Sequence, residues 1–548
     1  ARLDPIEVAT VDTLSWTVVA DRAGRFDIGV ETLVAGVTSA AAVLQLDVVE
    51  ERWEQEGFLL SAWSPPAAWS EKGTNSLGYY GAANFETVLW VPPVASLVDN
   101  ITEAGMKCLV DVRTIVQDWD LYLRAHNNQP PPPLEAEHFA ELDEIIDTFL
   151  GNPTVIGYKI IDEPNHHAFE NLRQVVAHIR RRDPTRLCYV NQHPSSAGTA
   201  WFGPRNYREL LEHHLETIQL ELLSYDRYTF FRNGDGPDFF QDLAIVRRVA
   251  LDYGVPFANI VQAVGDEFDK GLNWRIPHEG EHRWLAYNSL AYGARALIWF
   301  HWNHSWGLTA SAERDRLFDS IRDTNAEINA LAPYMMTLRS VGAYHVGEIP
   351  RGAAQLPDTA YVQVIEPPAD MVVGLFADDA DNDFFMIVND YEKAVSARIE
   401  IDRAIEQLLT LDVRSQRVVP VEYRATADGA EFTAQLRPGA GRLYFFMPHP
   451  TDVASYQETR PDRSALRQNY PNPFNPETVI TYDLAGPGPV RLTVYDALGQ
   501  RVEVVVDGVQ PVGRHMVRWS GEGVASGVYF YVLEAAGKTL RRKMALLK

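Results

Sequence analysis

The spacing of apolar and polar positions changes several times along the chain. Residues 1–50 alternate with a period of two, which predicts β-strands at 16–20, 26–34 and 43–49. Three strands are few for a β-sandwich, so this partial sandwich leaves bare strand edges. Bare edges favour pairing with another domain or another copy of the chain, which makes a homo-oligomer one expected arrangement.

From residue 51 to 340, short apolar runs alternate with longer helical patterns. This order is typical of βα units around a parallel sheet, and eight such units predict a single (β/α)8 barrel. No glycine-rich phosphate loop follows the first strand, which disfavours a doubly wound open sheet. The predicted strands are 58–63, 85–91, 107–112, 155–161, 187–192, 220–226, 257–264 and 296–302.

Strand-like alternation returns behind the predicted barrel. Residues 341–450 contain six alternating apolar runs, which predict an all-β, sandwich-like domain. The acidic tract at 378–383 has oxygen ligands of the kind calcium prefers, but a polar turn between two strands explains it without metal. Residues 451–466 are polar and aperiodic, so we predict a linker before a last domain at 467–548.

Composition narrows the classes of function. A formal net charge of -25 would repel nucleic acid over most of the surface, so we predict no nucleic-acid partner. The two cysteines, Cys108 and Cys188, lie in apolar runs that predict buried, free thiols. No apolar run reaches the ~18 residues of a transmembrane helix. No signal sequence opens the chain at Ala1.

The C-terminal segment carries an ordered series of motifs. They are QNYPNPFNPETVITYDL at 468–484, LTVYDALGQRVEVVVDG at 492–508, GRHMVRW at 513–519 and ASGVYFYVLEAAG at 525–537. The prolines indicate fixed turns, and the alternating runs predict a small immunoglobulin-like sandwich. The series resembles the C-terminal sorting domain of type IX secretion cargo. The resemblance implies an interaction with that machinery, export across the outer membrane of a Bacteroidetes-type bacterium, and a signal peptide removed upstream of Ala1.

A candidate catalytic carboxyl group ends the fourth predicted barrel strand. In GYKIIDEPN (157–165) the apolar run stops at Asp162 and Glu163. Active residues of this fold follow the carboxyl ends of the strands. A glutamate at the rim of an apolar barrel can hold the proton that glycoside hydrolysis requires. We therefore predict Glu163 as a general acid, with an acidic surface loop as the alternative interpretation.

This arrangement resembles the large clan of glycosidases that share a (β/α)8 barrel. In that clan the acid/base glutamate ends strand four and usually follows Asn, which Asp162 replaces here. A nucleophilic glutamate ends strand seven, whereas the corresponding run ends here at Gln262, and Glu267 comes only later. Three interpretations stay open: a shifted carboxylate, which would be Asp226 or Glu267, catalysis assisted by the substrate, and a barrel that binds sugar without cleaving it.

The rest of the predicted rim fits a carbohydrate cleft. Aromatic faces stack on sugar rings, and polar side chains at strand ends hydrogen-bond hydroxyl groups. No histidines show zinc-motif spacing with a supporting acid, so we predict neither a metal site nor a cofactor. The predicted substrate-binding residues are Trp63, Trp90, Arg113, Asp162, Asn191, His193, Tyr228, Gln262, Trp274, Trp299, His301 and Trp302.

These observations favour two classes of function and leave a third open. The first is a secreted glycoside hydrolase that acts on a polysaccharide or oligosaccharide, with Glu163 as its acid. The second is a non-catalytic surface or assembly protein that uses the barrel as a scaffold, as Gln262 and the incomplete N-terminal sheet suggest. The third is a lyase, because a fold does not determine its reaction. Arg113, His193 and Tyr228 would supply its basic cleft and its base.

Overall fold

The computed structural model of the protein describes most of the chain. For 24–34 and 37–48 only the backbone is described. The described residues are 24–34, 37–48, 52–63, 66, 76–113, 131–263, 265, 273–301, 311–378, 381–448, 465–466, 469, 472, 474–484, 488–510, 513–535 and 538–547.

The N-terminal strands form a hairpin. Strands β1 (Gly24–Val34) and β2 (Val37–Val48) pair antiparallel as a two-stranded sheet. These strands agree with the alternation predicted at 26–34 and 43–49, whereas the strand predicted at 16–20 lies outside the described residues. Homo-oligomerisation through these edges stays a prediction.

Eight parallel strands form the barrel, which confirms the predicted fold class. From the second to the eighth, each strand pairs with the next one along the chain. The eighth strand pairs with the first, and the first also lies beside the second. Every predicted barrel strand is present. The strands are β3 (Leu59–Ala62), β4 (Thr87–Val91), β5 (Lys107–Asp111), β6 (Val155–Asp162), β7 (Leu187–Gln192), β8 (Leu223–Arg227), β11 (Phe257–Gln262) and β12 (Ala296–Phe300), with a short hairpin of β9 (Phe230–Phe231) and β10 (Gly234–Asp235) after β8.

Helices connect the barrel strands and cover their outer faces. Local signals set their ends: Asn206, for example, caps the helix at 207–218 by accepting from the Glu209 amide, and the Glu209 side chain accepts from the Asn206 amide in return. The helices are α1 (Leu77–Ala82), α2 (Ala95–Glu103), α3 (Ala136–Phe149), α4 (Phe169–Arg182), α5 (Thr199–Phe202), α6 (Tyr207–Ile218), α7 (Phe239–Tyr253), α8 (Glu279–Ala291) and α9 (Ser311–Met335).

Strand alternation divides the barrel into an inner and an outer core. Leu109, Ile260 and Ile298 pack inside the barrel, while neighbours such as Val110 and Val261 pack outward against the helices. The inner core fills the lower barrel with apolar side chains. The barrel is therefore solid, and polar chemistry is confined to the carboxyl ends of its strands.

An irregularity in β6 determines which of its polar residues face inward. The pairing of β6 with β7 shifts register between Lys159 and Ile161. As a result Ile160 and Ile161 both pack in the outer core, whereas Lys159 reaches the ring of Trp90 inside the barrel. Strict alternation would place Lys159 and Asp162 on opposite faces, but the bulge brings both side chains inside.

Behind the barrel, two antiparallel sheets form a sandwich. Their facing side chains, such as Val373, Phe385, Ile399 and Phe432, make a separate core. The six-stranded sheet has β13 (Arg339–Val346), β15 (Met371–Ala377), β16 (Asp383–Asn389), β18 (Ile405–Asp412), β19 (Arg417–Pro420) and β22 (Gly441–Pro448). The four-stranded sheet has β14 (Val362–Ile365), β17 (Val395–Ile401), β20 (Arg424–Ala425) and β21 (Ala430–Leu436).

The outer face of the six-stranded sheet packs on barrel helix α8. Gly374 of β15 allows the close approach, because a Cβ atom there would collide with the carbonyl oxygen of Ala291. Asp378, in the predicted acidic turn, accepts hydrogen bonds from the backbone and side chain of Asn382. That contact agrees with the turn interpretation of the tract.

The C-terminal segment has its own hydrophobic core. Residues such as Ile480, Trp519, Tyr531 and Met544 form a cluster separate from those of the barrel and the sandwich. Its strands are β23 (Ala465–Leu466), β24 (Glu477–Leu484), β25 (Gly488–Asp496), β26 (Arg501–Gln510), β27 (Gly513–Ser520), β28 (Gly527–Ala535) and β29 (Lys538–Leu546), which make two antiparallel sheets.

Two other predictions concern single features. Cys108 and Cys188 are buried and free, as predicted. None of the helices in the described ranges is long and apolar enough to cross a membrane.

Candidate active site

Three carboxyl groups meet at the carboxyl end of the barrel. Asn191 of β7 lies between two of them: its Nδ2 donates to Asp162 Oδ1 at 3.1 Å and to Asp226 Oδ1 at 3.0 Å. Because one nitrogen contacts both, these oxygen atoms lie within about 6 Å of each other. Ser224 Oγ donates to Asn191 Oδ1 at 3.0 Å, which fixes the orientation of the amide.

The carboxyl groups of Asp226 and Glu163 share a hydrogen bond. Carboxyl oxygens in hydrogen-bond contact leave no room for a water molecule between them, whereas the two carboxyl groups of an inverting pair stand ~6.5–9.5 Å apart. Glu163 and Asp226 therefore lie side by side, and the role predicted for Asp226, activation of a water on the far side of the scissile bond, stays a prediction.

Burial and mutual repulsion raise the pKa values of this cluster. Burial, followed by the charges of Glu163 and Asp162, raises the pKa of Asp226 well above its ordinary value. Burial also raises the pKa of Asp162 to about 6, although Lys159 and Asn191 oppose the shift. Burial thus favours the protonated form of Asp226, whereas Asp162 is ionised above a pKa of about 6.

Glu163 is held in an unusual backbone conformation. Its φ angle is +48°, a region that non-glycine residues seldom occupy and that is often found at functional sites. Its carboxylate oxygen Oε1 lies 3.2 Å from Nδ1 of His193, the residue that follows β7. The Glu163 side chain is 33% exposed, whereas Asp226 is only 5% exposed. Glu163 is thus the member of the pair that a substrate can reach.

One wall of the site is cationic and aromatic. Nζ of the buried Lys159 lies 3.8 Å from the ring centroid of Trp90 and 5.2 Å from that of Trp63. The guanidinium carbon of Arg113 lies 4.1 Å from the Trp90 centroid. Cations therefore contact the Trp90 ring, which we had expected to stack on sugar. Sequence reasoning missed Lys159, although a lone charge in the apolar run of β6 was a usable signal.

The opposite wall is an aromatic group of three side chains, Tyr228, Trp274 and Phe300. Their ring centroids lie 4.7 Å apart for Tyr228 and Trp274, 4.8 Å for Tyr228 and Phe300, and 5.9 Å for Trp274 and Phe300. All three are partly exposed. The structure thus brings Tyr228 and Trp274 together, as expected of a sugar-stacking surface, and adds Phe300, which the sequence had not singled out.

Gln262 lies at the end of β11, but its amide is engaged by backbone. Its Oε1 accepts from the Thr229 and Phe230 amides at 3.2 and 2.9 Å. Its Nε2 donates to the Phe230 and Arg275 carbonyl oxygens at 3.1 and 2.8 Å. The side chain is fully buried. Gln262 therefore supports the loop after β8, which corrects our expectation of a substrate contact.

Other predicted rim residues have different surroundings. Trp299 is buried in the outer core, where its Nε1 donates to Asn325 of α9 at 2.8 Å, so strand alternation turns it away from the site. His301 is buried after β12, and burial lowers its pKa to about 4. Glu267 and Trp302 lie outside the described residues.

A buried arginine supports the loop that carries His193. Arg227 of β8 donates to Ser196 Oγ at 3.1 Å and to Asp238 Oδ2 at 3.2 Å. Asp242 of α7 accepts from the Ser195 amide at 3.2 Å and lies 3.7 Å from Arg227. These contacts join the loops after β7 and β8, so the positions of His193 and Asp226 depend on one another. Over the described ranges, no three His, Cys, Asp or Glu side chains are grouped to hold a metal ion.

Comparison with known families identifies the C-terminal domain. Residues 468–546 match the family described as the secretion system C-terminal sorting domain. This domain is a sorting domain of type IX secretion. The protein is accordingly exported to the cell surface or the extracellular space, as predicted. No curated protein sequence matches the chain.

Solved structures that resemble the chain include several glycosidases. Alpha-L-fucosidase isoenzyme 2 from Paenibacillus thiaminolyticus has a TM-score of 0.44 and 8% identity, and the match covers 73% of this chain and 100% of that one. A GH27 β-L-arabinopyranosidase from Geobacillus stearothermophilus scores 0.37 with 12% identity, covering 73% and 87%. The endo-beta-1,4-mannanase from Thermotoga petrophila scores 0.33 with 11% identity, covering 90% and 98%. Likenesses this distant leave reaction and substrate open.

Proposed function

We propose that the exported chain is a glycoside hydrolase whose acid is the hydrogen-bonded pair of Glu163 and Asp226. Burial of Asp226 and the repulsion between two adjacent carboxylates favour the form of the pair that keeps one proton. Glu163, the exposed member, delivers the proton to the glycosidic oxygen as the bond to the anomeric carbon breaks. The leaving sugar departs as an alcohol, a water molecule adds to the anomeric carbon, and the proton that this water loses returns to the Glu163–Asp226 pair.

Asp162 serves as the second carboxylate in this proposal. It is ionised above a pKa of about 6 and is held by Asn191. Its negative charge stabilises the positive charge that develops at the anomeric carbon. Sequence reasoning placed Asp162 among the substrate contacts. The reassignment rests on the Asn191 amide, which holds Asp162 and the proton-bearing Asp226 at either side of a single nitrogen.

The walls suit a carbohydrate. Tyr228, Trp274 and Phe300 offer flat, partly exposed apolar faces beside the carboxyl groups, and stacking on such faces is a usual mode of sugar binding. The observation that carries the proposal is the Glu163–Asp226 hydrogen bond with Asp162 held alongside. It supports the proposal because the pKa values of two of these neighbouring carboxyl groups are raised, and glycoside hydrolysis uses a protonated carboxyl group together with an ionised one.

Leaving-group dependence tests the roles of the carboxyl groups. Wild-type protein is assayed with nitrophenyl glycosides and with unactivated oligosaccharides of the same sugars. Glu163→Gln should lower kcat by about 10²–10⁴-fold on unactivated substrates but much less on nitrophenyl glycosides, whose leaving groups need little protonation. Asp162→Asn should lower kcat on both, because the charge at the anomeric carbon is common to them.

Glu170→Gln is the matched control, since Glu170 is an exposed α4 residue paired with Arg173. It should match the wild type on every substrate. Equal activity of Glu163→Gln and the wild type on unactivated oligosaccharides would show that Glu163 is not the acid.

A barrel that binds sugar without cleaving it is the second candidate. The observation in its favour is that β11 ends in Gln262, whose amide is taken up by the loop after β8. Calorimetric titration with the same oligosaccharides distinguishes the two candidates. Binding that Tyr228→Ala weakens, together with no turnover of any glycoside by the wild type, would support this candidate.

A further inference from the structure

His193 sits between the predicted acid and an aromatic side chain. Its Nδ1 lies 3.2 Å from Glu163 Oε1, and its ring centroid lies 4.5 Å from that of Trp201 in α5. The residue is 6% exposed, so water and substrate have little access to the ring. The sequence predicts His193 as a substrate contact, but this burial and this partner indicate a different role.

The segment that follows Glu163 fixes the position of Trp201. Asn165 Nδ2 donates to the Ala200 carbonyl oxygen at 3.0 Å, and His166 Nδ1 lies 3.0 Å from the Trp201 carbonyl oxygen. The loop after β7 is tied to the segment after β6 on both sides of His193, because the Glu163 amide also donates to the Asn191 carbonyl oxygen at 2.9 Å. Trp201, in this tied loop, packs against the His193 ring.

The hydrogen-bonding pattern indicates which nitrogen of His193 carries the proton. Among the described residues, Nε2 is buried and has no hydrogen-bond partner. A hydrogen on Nε2 would therefore be a buried, unsatisfied donor, which is costly. The tautomer with its hydrogen on Nδ1 avoids that cost and directs this hydrogen toward Glu163 Oε1, 3.2 Å away.

We propose that His193 is a positioning residue, which holds the Glu163 carboxyl group through its Nδ1–H and aims the other Glu163 oxygen at the glycosidic bond. The inference rests on the proposed function. His193 acts through Glu163 and does not touch the sugar. The charged groups that face it are Glu163 and Asp162, and Asp226 follows behind Glu163.

Two variants distinguish the contribution of the His193 Nδ1–H donor from that of its aromatic ring. His193→Phe keeps an aromatic ring against Trp201 and removes the donor, and His193→Asn restores an N–H donor near the position of Nδ1. On the nitrophenyl or oligosaccharide substrate that the wild type cleaves fastest, His193→Phe should lower kcat about tenfold and change KM less than about twofold. His193→Asn should recover most of the lost kcat.

A second measurement does not depend on turnover. In protein labelled with ¹³C at the Asp and Glu carboxyl carbons, NMR follows the proton shared by Glu163 and Asp226, with signals assigned from Glu163→Gln. His193→Phe should move this titration to higher pH, because the ionised pair loses a donor that stabilises it. The alkaline limb of the kcat profile should move in the same direction.

An unchanged titration and an unchanged kcat in His193→Phe would overturn the inference. So would a defect in KM alone, which would return His193 to the substrate contacts. If the wild type cleaves no glycoside, the proposed function fails, while the NMR titration still decides the role of His193. If His193→Phe does not fold, His193→Gln, whose donor lies one carbon farther out, should show the same loss.

Discussion

Asp226 is a buried carboxyl group whose ionisation opposes folding. Because its pKa is raised in the folded state, as is that of Asp162, the folded protein binds these protons more tightly than the unfolded chain does. The stability that these groups contribute is complete below the unfolded pKa near 4. It is lost as the pH rises through about 6 for Asp162, and at higher pH for Asp226.

Asp226→Asn should therefore stabilise the protein at high pH. The asparagine stays neutral while keeping an oxygen for Asn191 and an N–H for Glu163. The variant should be more stable than the wild type at pH 8 and similar to it near pH 3.5. The slope of unfolding free energy against pH should flatten by at most about 1.4 kcal/mol per pH unit. Denaturant unfolding across this range measures the effect.

The exposed Asp319 of α9, paired with Arg322, provides a control. Asp319→Asn should not reproduce the flattening. A parallel pH dependence for Asp226→Asn and the wild type would mean that Asp226 is ionised in the folded protein.

At the scale of elements, Gln262 joins β11 to the loop after β8. Gln262→Met keeps the length of the side chain but removes the amide that hydrogen-bonds the buried backbone groups of Thr229, Phe230 and Arg275. Each unsatisfied buried group costs about 1–3 kcal/mol, so the variant should be destabilised and its loop should open more often. Native-state hydrogen exchange at the Thr229 and Phe230 amides should accelerate about tenfold or more.

Gln435→Met is the comparison for this variant, because Gln435 is exposed and its side chain bonds only to Ser396 among the contacts described. It should leave the exchange of both amides unchanged. Undiminished protection in Gln262→Met would return Gln262 to the candidate substrate contacts.

At the scale of the whole molecule, the sorting domain has a hydrophobic core separate from that of the barrel, which carries the candidate active site. The sorting domain has its own hydrophobic cluster, whereas barrel and sandwich share one across α8 and the six-stranded sheet. Removing residues 467–548 should therefore retain the protein in the periplasm of a host with type IX secretion while the thermal transition of the barrel stays in place. Immunoblots of cell fractions and calorimetry measure the two effects. Surface delivery of the truncated protein would contradict the first expectation.

Features with a local signal were predictable from sequence. Each of the eight barrel strands is a short apolar run between longer segments with a helical pattern, so its position along the chain follows from the local pattern of apolar residues. Asp162 and Glu163 could be found because an apolar strand of this fold ends in functional residues. The sorting domain could be found because several motifs occur in order.

Features that depend on distant atoms were decided only by the tertiary structure. The bulge in β6, which turns both Lys159 and Asp162 inward, arises from pairing with β7. The partners of Gln262 come from other parts of the barrel. Contact between Glu163 and Asp226 joins two strands separated by β7. The sequence by itself thus determined the fold class, the export route and the strand that ends in the candidate acid, because periodicity and motifs are local. Register and long-range contacts decided how the three carboxyl groups meet.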